Sequence, residues 1–345
     1  MSARGGTRHR EFADMLDGLF ARGAADDSPR LDRTLWSTLD EVGATWLTAD
    51  ESVGGSGATW DEAAVLLGAA GAHAVSLPLA ENDLLALPLL AAARLPVAPS
   101  DGIRTVAVAE ETPGGFQARS VPWARDVDRI VVVFQHDSQW HVADLPRASV
   151  SVTDAENYAG EPRDHLHVDA AALESATRID ATLVGELRLK GALARAAAVA
   201  GALDRILELV VEHTTARTQF GRPLARFQAV QFLAADIATE TALVQATVDA
   251  AVATALRDGF GTDTTTFAVA AAKSTAGHGA STVTRAAHQA FGAIGFTREH
   301  ALHRYTTRAL AWRSEYGSTR EWDERLTRAA LAAGGDGLWP LLTAS

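Results

Sequence analysis

The chain has no cysteine, which excludes disulfides, thiolate nucleophiles and Cys-ligated zinc at once. Basic residues are in the minority: 31 Lys and Arg against 43 Asp and Glu give a net charge of −12. A nucleic-acid surface normally carries a basic excess, so that class of partner is not expected, although local basic pockets are compatible with the total. Apolar runs of about 18 residues, the length that spans a bilayer, are missing. The first stretch, MSARGGTRHREFADML, has basic residues but no apolar h-region or cleavage site, so neither a membrane span nor a secretory leader is expected and the default location is cytoplasmic. None of the 11 histidines stands in a His-x-x-x-His or His-Glu-x-x-His spacing, and no metal centre is expected. Gly-x-Ser-x-Gly is also absent, which removes support for a serine hydrolase.

What is present is apolar and small. Hydrophobic residues make up 47% of the 345 positions and aromatics only 6%, with alanine dominant, a composition suited to close-packed helices rather than a β-sandwich. The length allows a large core and two or three domains. Phe12, Met15, Leu16, Leu19 and Phe20 keep helical spacing, and Leu35, Leu39 and Val42 continue it, so residues 8 to about 98 read as helical. Gly54, Gly55 and Gly57 interrupt this stretch with a flexible loop before a helix capped by Thr59 or Asp61. No strand pattern precedes that loop and no Lys-Ser or Lys-Thr pair follows it, so it fails the context of a phosphate-binding P-loop.

Between 101 and 182 the pattern changes to short β-branched runs, IRTVAVAEE, DRIVVVFQH, QWHVADL and ASVSVTD, separated by Gly, Pro, Asp and Ser, a compact β region. The remainder is helical again, in segments 184–213, 226–257, 264–290, 298–312 and 320–334. In the second of these, Val230, Leu233, Ile237, Val244, Val248 and Val252 form a stripe of about 3.6-residue period while Asp236, Glu240 and Asp249 lie off it. The expected architecture is therefore α+β and mostly α: an N-terminal helical domain (1–100), a small middle β domain (101–182) and a C-terminal four-helix bundle domain (183–345).

The chemistry-bearing string is RTQFGRPLARFQAVQFLAADIATE, from Arg217 to Glu240. Arg217 offers a planar fork of donors for phosphate, Gly221 and Pro223 break the chain, and the following helix start directs N–H groups outward. The string resembles the Arg-x-x-Phe-Gly-x-x-x-x-x-x-Gln signature of flavin-dependent acyl-CoA dehydrogenases, with Arg217, Phe220, Gly221 and Gln228 in register. A second string, from His288 to Thr319, resembles that family's Gln-x-x-Gly-Gly-x-Gly-Phe stretch, with Ala293 in place of the second glycine. The order of helical domain, β domain and bundle agrees with the same family across nearly the whole chain.

The resemblance implies an FAD site at a subunit interface, where Arg217, Gln219, Phe220, Gln228, Gln289 and Gly292 would face the partner chain's cofactor. It also implies α,β-desaturation of an acyl-CoA thioester by a carboxylate base, and here the pattern departs. Ungapped alignment from Phe296 puts Tyr316 at the family's usual base position, with Glu315 one residue away, and the second location for a base falls on Gly191. A phenol with a pKa of about 10 is a poor proton acceptor at neutral pH. Glu110, Glu111, Thr112 and Pro113 carry the letters of the family's flavin-contacting Thr-Glu-Pro stretch without its surroundings, and a Trp-Ile-Thr counterpart is lacking.

Three readings follow. The chain is the shorter, non-catalytic subunit of an α2β2 enzyme, a type associated with bulky sterol side-chain thioesters, and its partner is a paralogue; or it is a self-sufficient homo-oligomer using Glu315 as base; or it is a flavin-free scaffold of the same fold. The dense cluster Trp312, Arg313, Glu315, Tyr316, Arg320, Glu321 and Trp322 either fills the place of a catalytic loop or packs on the partner. His300 and His303, among Arg298, Arg304 and Arg308, read as solvated or subunit-facing surface.

Overall fold

The computed structural model describes residues 3–23 and 30–343, and they divide into two compact units. One unit, within residues 25–63 and 76–191, is built on a seven-stranded sheet. Its strands are β1 (Arg104–Thr112), β2 (Gly115–Pro122), β3 (Arg129–His136), β4 (Gln139–Pro146), β5 (Ser151–Thr153), β6 (Arg163–Asp169) and β7 (Thr177–Ile179). The spatial order is β5-β6-β2-β1-β3-β4-β7, with β1 and β3 parallel and the other neighbours antiparallel. Four expected runs are β1, β3, β4 and β5. Strand β2 was not expected, because GFQARSVP has little β-branched character; pairing on both sides, and not propensity, fixes it.

Around the sheet pack α2 (Arg33–Glu41), capped by Asp32, and a π-helical turn (Ala80–Ala86) that runs into α4 (Leu87–Ala92). The π turn buries Glu81, Asn82 and Asp83 completely or nearly so. Asn82 donates to the Thr45 carbonyl (3.0 Å) and accepts from the Arg104 N–H (2.9 Å), stitching the turn to β1. Asp83 accepts from the Thr48 N–H at 3.0 and 3.1 Å. Burial pushes its carboxyl up to about 7, against the opposing pull of the Thr48 and Ala49 amides. The glycine-rich loop is a tightly hydrogen-bonded turn. Ser56, Gly57 and Ala58 donate to the Trp46, Ala49 and Leu47 carbonyls, and a Cβ on Gly55 would lie 2.0 Å from the Ala49 oxygen. Thr59 and Glu62 then cap the next helix reciprocally, as a capping box does.

The other unit is helical and comprises residues up to 24, 64–75 and 192 onward. It contains α1 (Ala3–Gly23), most of α3 (Trp60–Ala72) and of α5 (Ala181–Ala216), then α6 (Gln228–Asp258), α7 (Asp263–Phe291), α8 (Leu302–Trp312) and α9 (Thr319–Thr343). The five helical segments expected from periodicity after residue 182 are all there: α5, α7 and α9 run longer than expected, α6 nearly matches, and α8 starts four residues later, at Leu302. On α6, Ile237, Val244, Val248 and Val252 are buried and Asp236 and Asp249 exposed, so the stripe is the core face. The α-plus-β, mostly helical class is borne out. Among the described residues no helix is long and apolar enough to cross a membrane.

Small residues set the closest approach in this unit. A Cβ on Gly201 of α5 would stand 1.9 Å from the Gly68 carbonyl oxygen of α3, and one on Gly71 would stand 2.0 Å from the Ala198 oxygen. Backbone cannot yield as a side chain can, so Gly201→Ala is expected to destabilise by about 1–3 kcal/mol despite alanine's better helix propensity. Urea denaturation of the variant checks this; a gain in stability would contradict the seam.

Candidate functional site

The sequence-predicted cofactor residues gather at one end of the helical unit. Helix α5 ends at Ala216, and the next residues form a two-strand hairpin, β8 (Thr218–Gln219) and β9 (Arg222–Pro223), with Gln219 paired to Arg222. Its two turn residues, Phe220 and Gly221, have φ of +52° and +78°, the type I′ geometry that suits a two-residue hairpin and costs phenylalanine strain. Phe220 is consequently held out at the tip, 90% exposed. The Arg217 N–H donates to the His213 carbonyl (2.9 Å), and its own carbonyl accepts from Leu224. Gln228 is the first residue of α6, and the preceding Phe227 supplies no side-chain cap. The Val230 and Gln231 N–H groups donate to the Phe227 carbonyl, and no side-chain cap serves the Gln228 and Ala229 N–H groups that precede them.

The second string joins this end through rings. Phe291, the last residue of α7, stacks on His213 (4.2 Å, 19°) and meets His300 at 4.5 Å. Gln289 lies exposed two residues before it, and Gly292 follows with φ +64° and open space where a Cβ would be. His288 stacks on Phe296 at 4.5 Å and shares a hydrogen bond with Thr306. Burial holds His213, His300 and His288 below the ordinary imidazole range, with His300 and Arg217 adding to the effect at His213 and His303 adding to it at His300.

Whether these residues suit a dinucleotide can be judged from their partners. Among the described residues, the side chains of Arg217, Gln219, Gln228 and Gln289 have no hydrogen-bond or ion-pair partner, and all four are exposed. An anion cradle needs donors that are not already satisfied within the chain, an open glycine for close backbone approach, and a cation. All three are present, so the residues fit the group.

The α8–α9 loop, where the family's base is expected, has a different character. Glu315 accepts from Arg195 Nε at 2.6 Å, with side chains 16% and 8% exposed. Tyr316 has φ +57°, and the Arg195 guanidinium lies 5.6 Å from its ring centre. Behind them Lys273 of α7, fully buried, donates to the Trp312 carbonyl at 2.7 Å, closing the C-terminus of α8. Burial pushes Lys273 down to about 7 against the pull of the Glu315 carboxylate, with Arg195 adding to the downward shift. Arg313 reaches Ser281 on α7, and Ser318 and Glu321 cap α9. The polar and aromatic cluster read from the sequence is thus tied within this chain: Trp312 and Trp322 are buried in it.

In the sheet unit, the Glu-Thr-Pro letters fold as a tight hairpin. Thr112 pairs with Gly115 around Pro113 and Gly114, and Gly114 takes the positive φ, +94°, that a Pro-Gly turn places on glycine. Glu111 lines a cleft of about 490 Å3 with Phe116, Phe134, His136 and His141 and bonds His136 at 3.2 Å. His165 and His167 lie on β6.

Three site residues escaped sequence reasoning: Arg195, Lys273 and His213. The first two carried a signal, an isolated cation in an alanine-rich helix, which must either reach solvent or find a partner. His213 carried none.

The family model for the acyl-CoA dehydrogenase C-terminal domain matches residues 189–330. Acyl-CoA dehydrogenase IpdE2 of Mycobacterium tuberculosis is 30% identical over 318 residues, 88% of this chain and 89% of that protein. The fold is similar to a chain of the ChsE4-ChsE5 complex from Mycobacterium tuberculosis, with TM-score 0.82 and 24% identity over 94% of this chain and 97% of that one. It is also similar to a variant of the Tcur3481-Tcur3483 steroid ACAD, with TM-score 0.81 and 22% identity over 95% and 99%. The motifs, the fold and the relatives agree: the chain belongs to the acyl-CoA dehydrogenase family, flavoprotein oxidoreductases acting on the CH–CH bond of acyl-CoA thioesters.

Proposed function

We propose that this chain is the non-catalytic subunit of an α2β2 FAD-dependent acyl-CoA dehydrogenase and completes the flavin site of a paralogous partner. One contrast carries the reading. The edge formed by Arg217, Gln219, Phe220, Gln228, Gln289 and Gly292 keeps its donors unspent, whereas Glu315, the carboxylate nearest the family's base position, is committed to Arg195. A carboxylate that accepts a short charge-assisted bond from a guanidinium is a weakened base, and releasing it costs the pair. Tyr316, which the resemblance puts at the base position itself, does not replace it.

When bound, FAD supplies the hydride acceptor of α,β-desaturation. The work assigned to this chain is different: Arg217 neutralises phosphate charge, Gln228 and Gln289 donate and accept along the dinucleotide, and Phe220 covers it from the hairpin tip. Two relatives by fold carry names of paired chains, ChsE4-ChsE5 and Tcur3481-Tcur3483, and the second is called a steroid ACAD. They support a paralogous partner and a bulky, sterol-type acyl group as substrate.

Arg217→Ala tests the edge. Loss of a charge-assisted contact of about 1.5–3 kcal/mol weakens flavin retention by the co-purified complex about 10- to 100-fold. Unchanged flavin occupancy after gel filtration would remove the assignment of this edge to the cofactor.

A further inference from the structure

Resting on that reading of the edge, we infer that His213 is a further cofactor-contacting residue, presenting a ring nitrogen beside Arg217 to the pyrophosphate of the dinucleotide. Its ring is fixed in plane by the stack on Phe291 at 4.2 Å, and His300 meets it edge-on at 6.3 Å. Neither ring nitrogen makes a hydrogen bond among the described residues, although the side chain is half-buried. Its carbonyl accepts the N–H of Arg217, which puts the imidazole one helical turn before the guanidinium at the same end of α5.

The charges around it favour an outside anion. The groups that bear on His213 are Arg217, which follows it on the chain, and His300, from the segment before α8; both oppose its protonation. His300 is in turn opposed by His303 and favoured by Glu212. Within its own chain this imidazole has the stack on Phe291 but leaves both nitrogens unused beside the Arg217 guanidinium. A phosphate oxygen held by Arg217 would satisfy it, and Gly292, directly after the stacking Phe291, leaves room for that approach. Binding the anion draws a proton onto the ring, so affinity should rise as pH falls through the imidazole range.

The pyrophosphate of coenzyme A offers the same chemistry, so the test has two arms. The complex of this chain with its paralogue, stripped of flavin, is titrated with FAD and separately with coenzyme A at about pH 6 and about pH 8. His213→Phe keeps the stack and removes the nitrogens; native mass and thermal unfolding should match wild type. For FAD, the variant is expected to bind about 3-fold more weakly near pH 8 and about 30-fold more weakly near pH 6, the range from a neutral to a charge-assisted contact. Equal FAD affinity at both pH values, or an effect confined to coenzyme A, overturns the inference. Arg217→Ala in the same titration separates the causes: if it also binds FAD normally, the edge itself is misassigned; if it loses FAD while His213→Phe does not, only the role of His213 fails.

Discussion

Arg195→Leu is expected to destabilise the chain by about 3–5 kcal/mol, the cost of leaving one member of a buried pair alone. Glu315 is 16% exposed and Arg195 8%, so water recovers little of the lost attraction. The pair also anchors the α8–α9 loop between α5 and α7, where Lys273 holds the Trp312 carbonyl. Adding Glu315→Gln to Arg195→Leu should restore about half of the loss, because the orphaned charge is gone. Glu315→Gln alone removes the carboxylate that opposes burial at Lys273, so the amine shifts further down. If the loop has a structural and not a catalytic task, the folded complex carrying Glu315→Gln turns over at the wild-type rate. Loss of turnover with flavin and thioester still bound would make Glu315 the base and the chain self-sufficient.

The second large effect is a pH dependence of stability centred on Asp83. Its folded carboxyl sits at about 7, above the unfolded value of about 3.9. Between these values the folded state binds a proton that the unfolded state has released. Stability from this group is therefore greatest below the unfolded value and falls as pH rises toward 7. The full span is worth at most about 4 kcal/mol, at about 1.36 kcal/mol per pH unit. Asp83→Asn keeps an oxygen to accept from the Thr48 N–H and cannot ionise, so its urea midpoint should change less between about pH 5 and pH 8. A wild-type slope identical to that of the variant would show that the amide donors outweigh burial and that Asp83 is ionised throughout.

The fold was legible where periodicity reports burial directly. The stripe from Val230 to Val252 announced α6 because one face of a helix must be apolar, and the β-branched runs of β1 and β3 announced the sheet centre. Strand β2 was hidden because its sequence is held by neighbours on both sides and has no propensity of its own. In the glycine-rich loop the glycines announce a turn but not its packing: the chain passes 2.0 Å from where a Cβ on Gly55 would sit, a fact about Ala49 that local composition does not contain. At the candidate site the exposed donors were legible, since motif residues lie close in sequence. The Arg195–Glu315 pair spans 120 positions and the His213–Phe291 stack joins two helix ends, and nothing in either local sequence announces such a contact.

The central claim is that this chain completes a flavin site without owning one, and purification tests it most directly. The chain should be isolated alone and after co-expression with a paralogue that retains the family's glutamate, with the visible spectrum and native mass recorded for each. The account predicts a colourless preparation alone and a yellow α2β2 tetramer with about half a flavin per chain in company. A yellow homo-oligomer from the chain alone, with one flavin per chain, would contradict it.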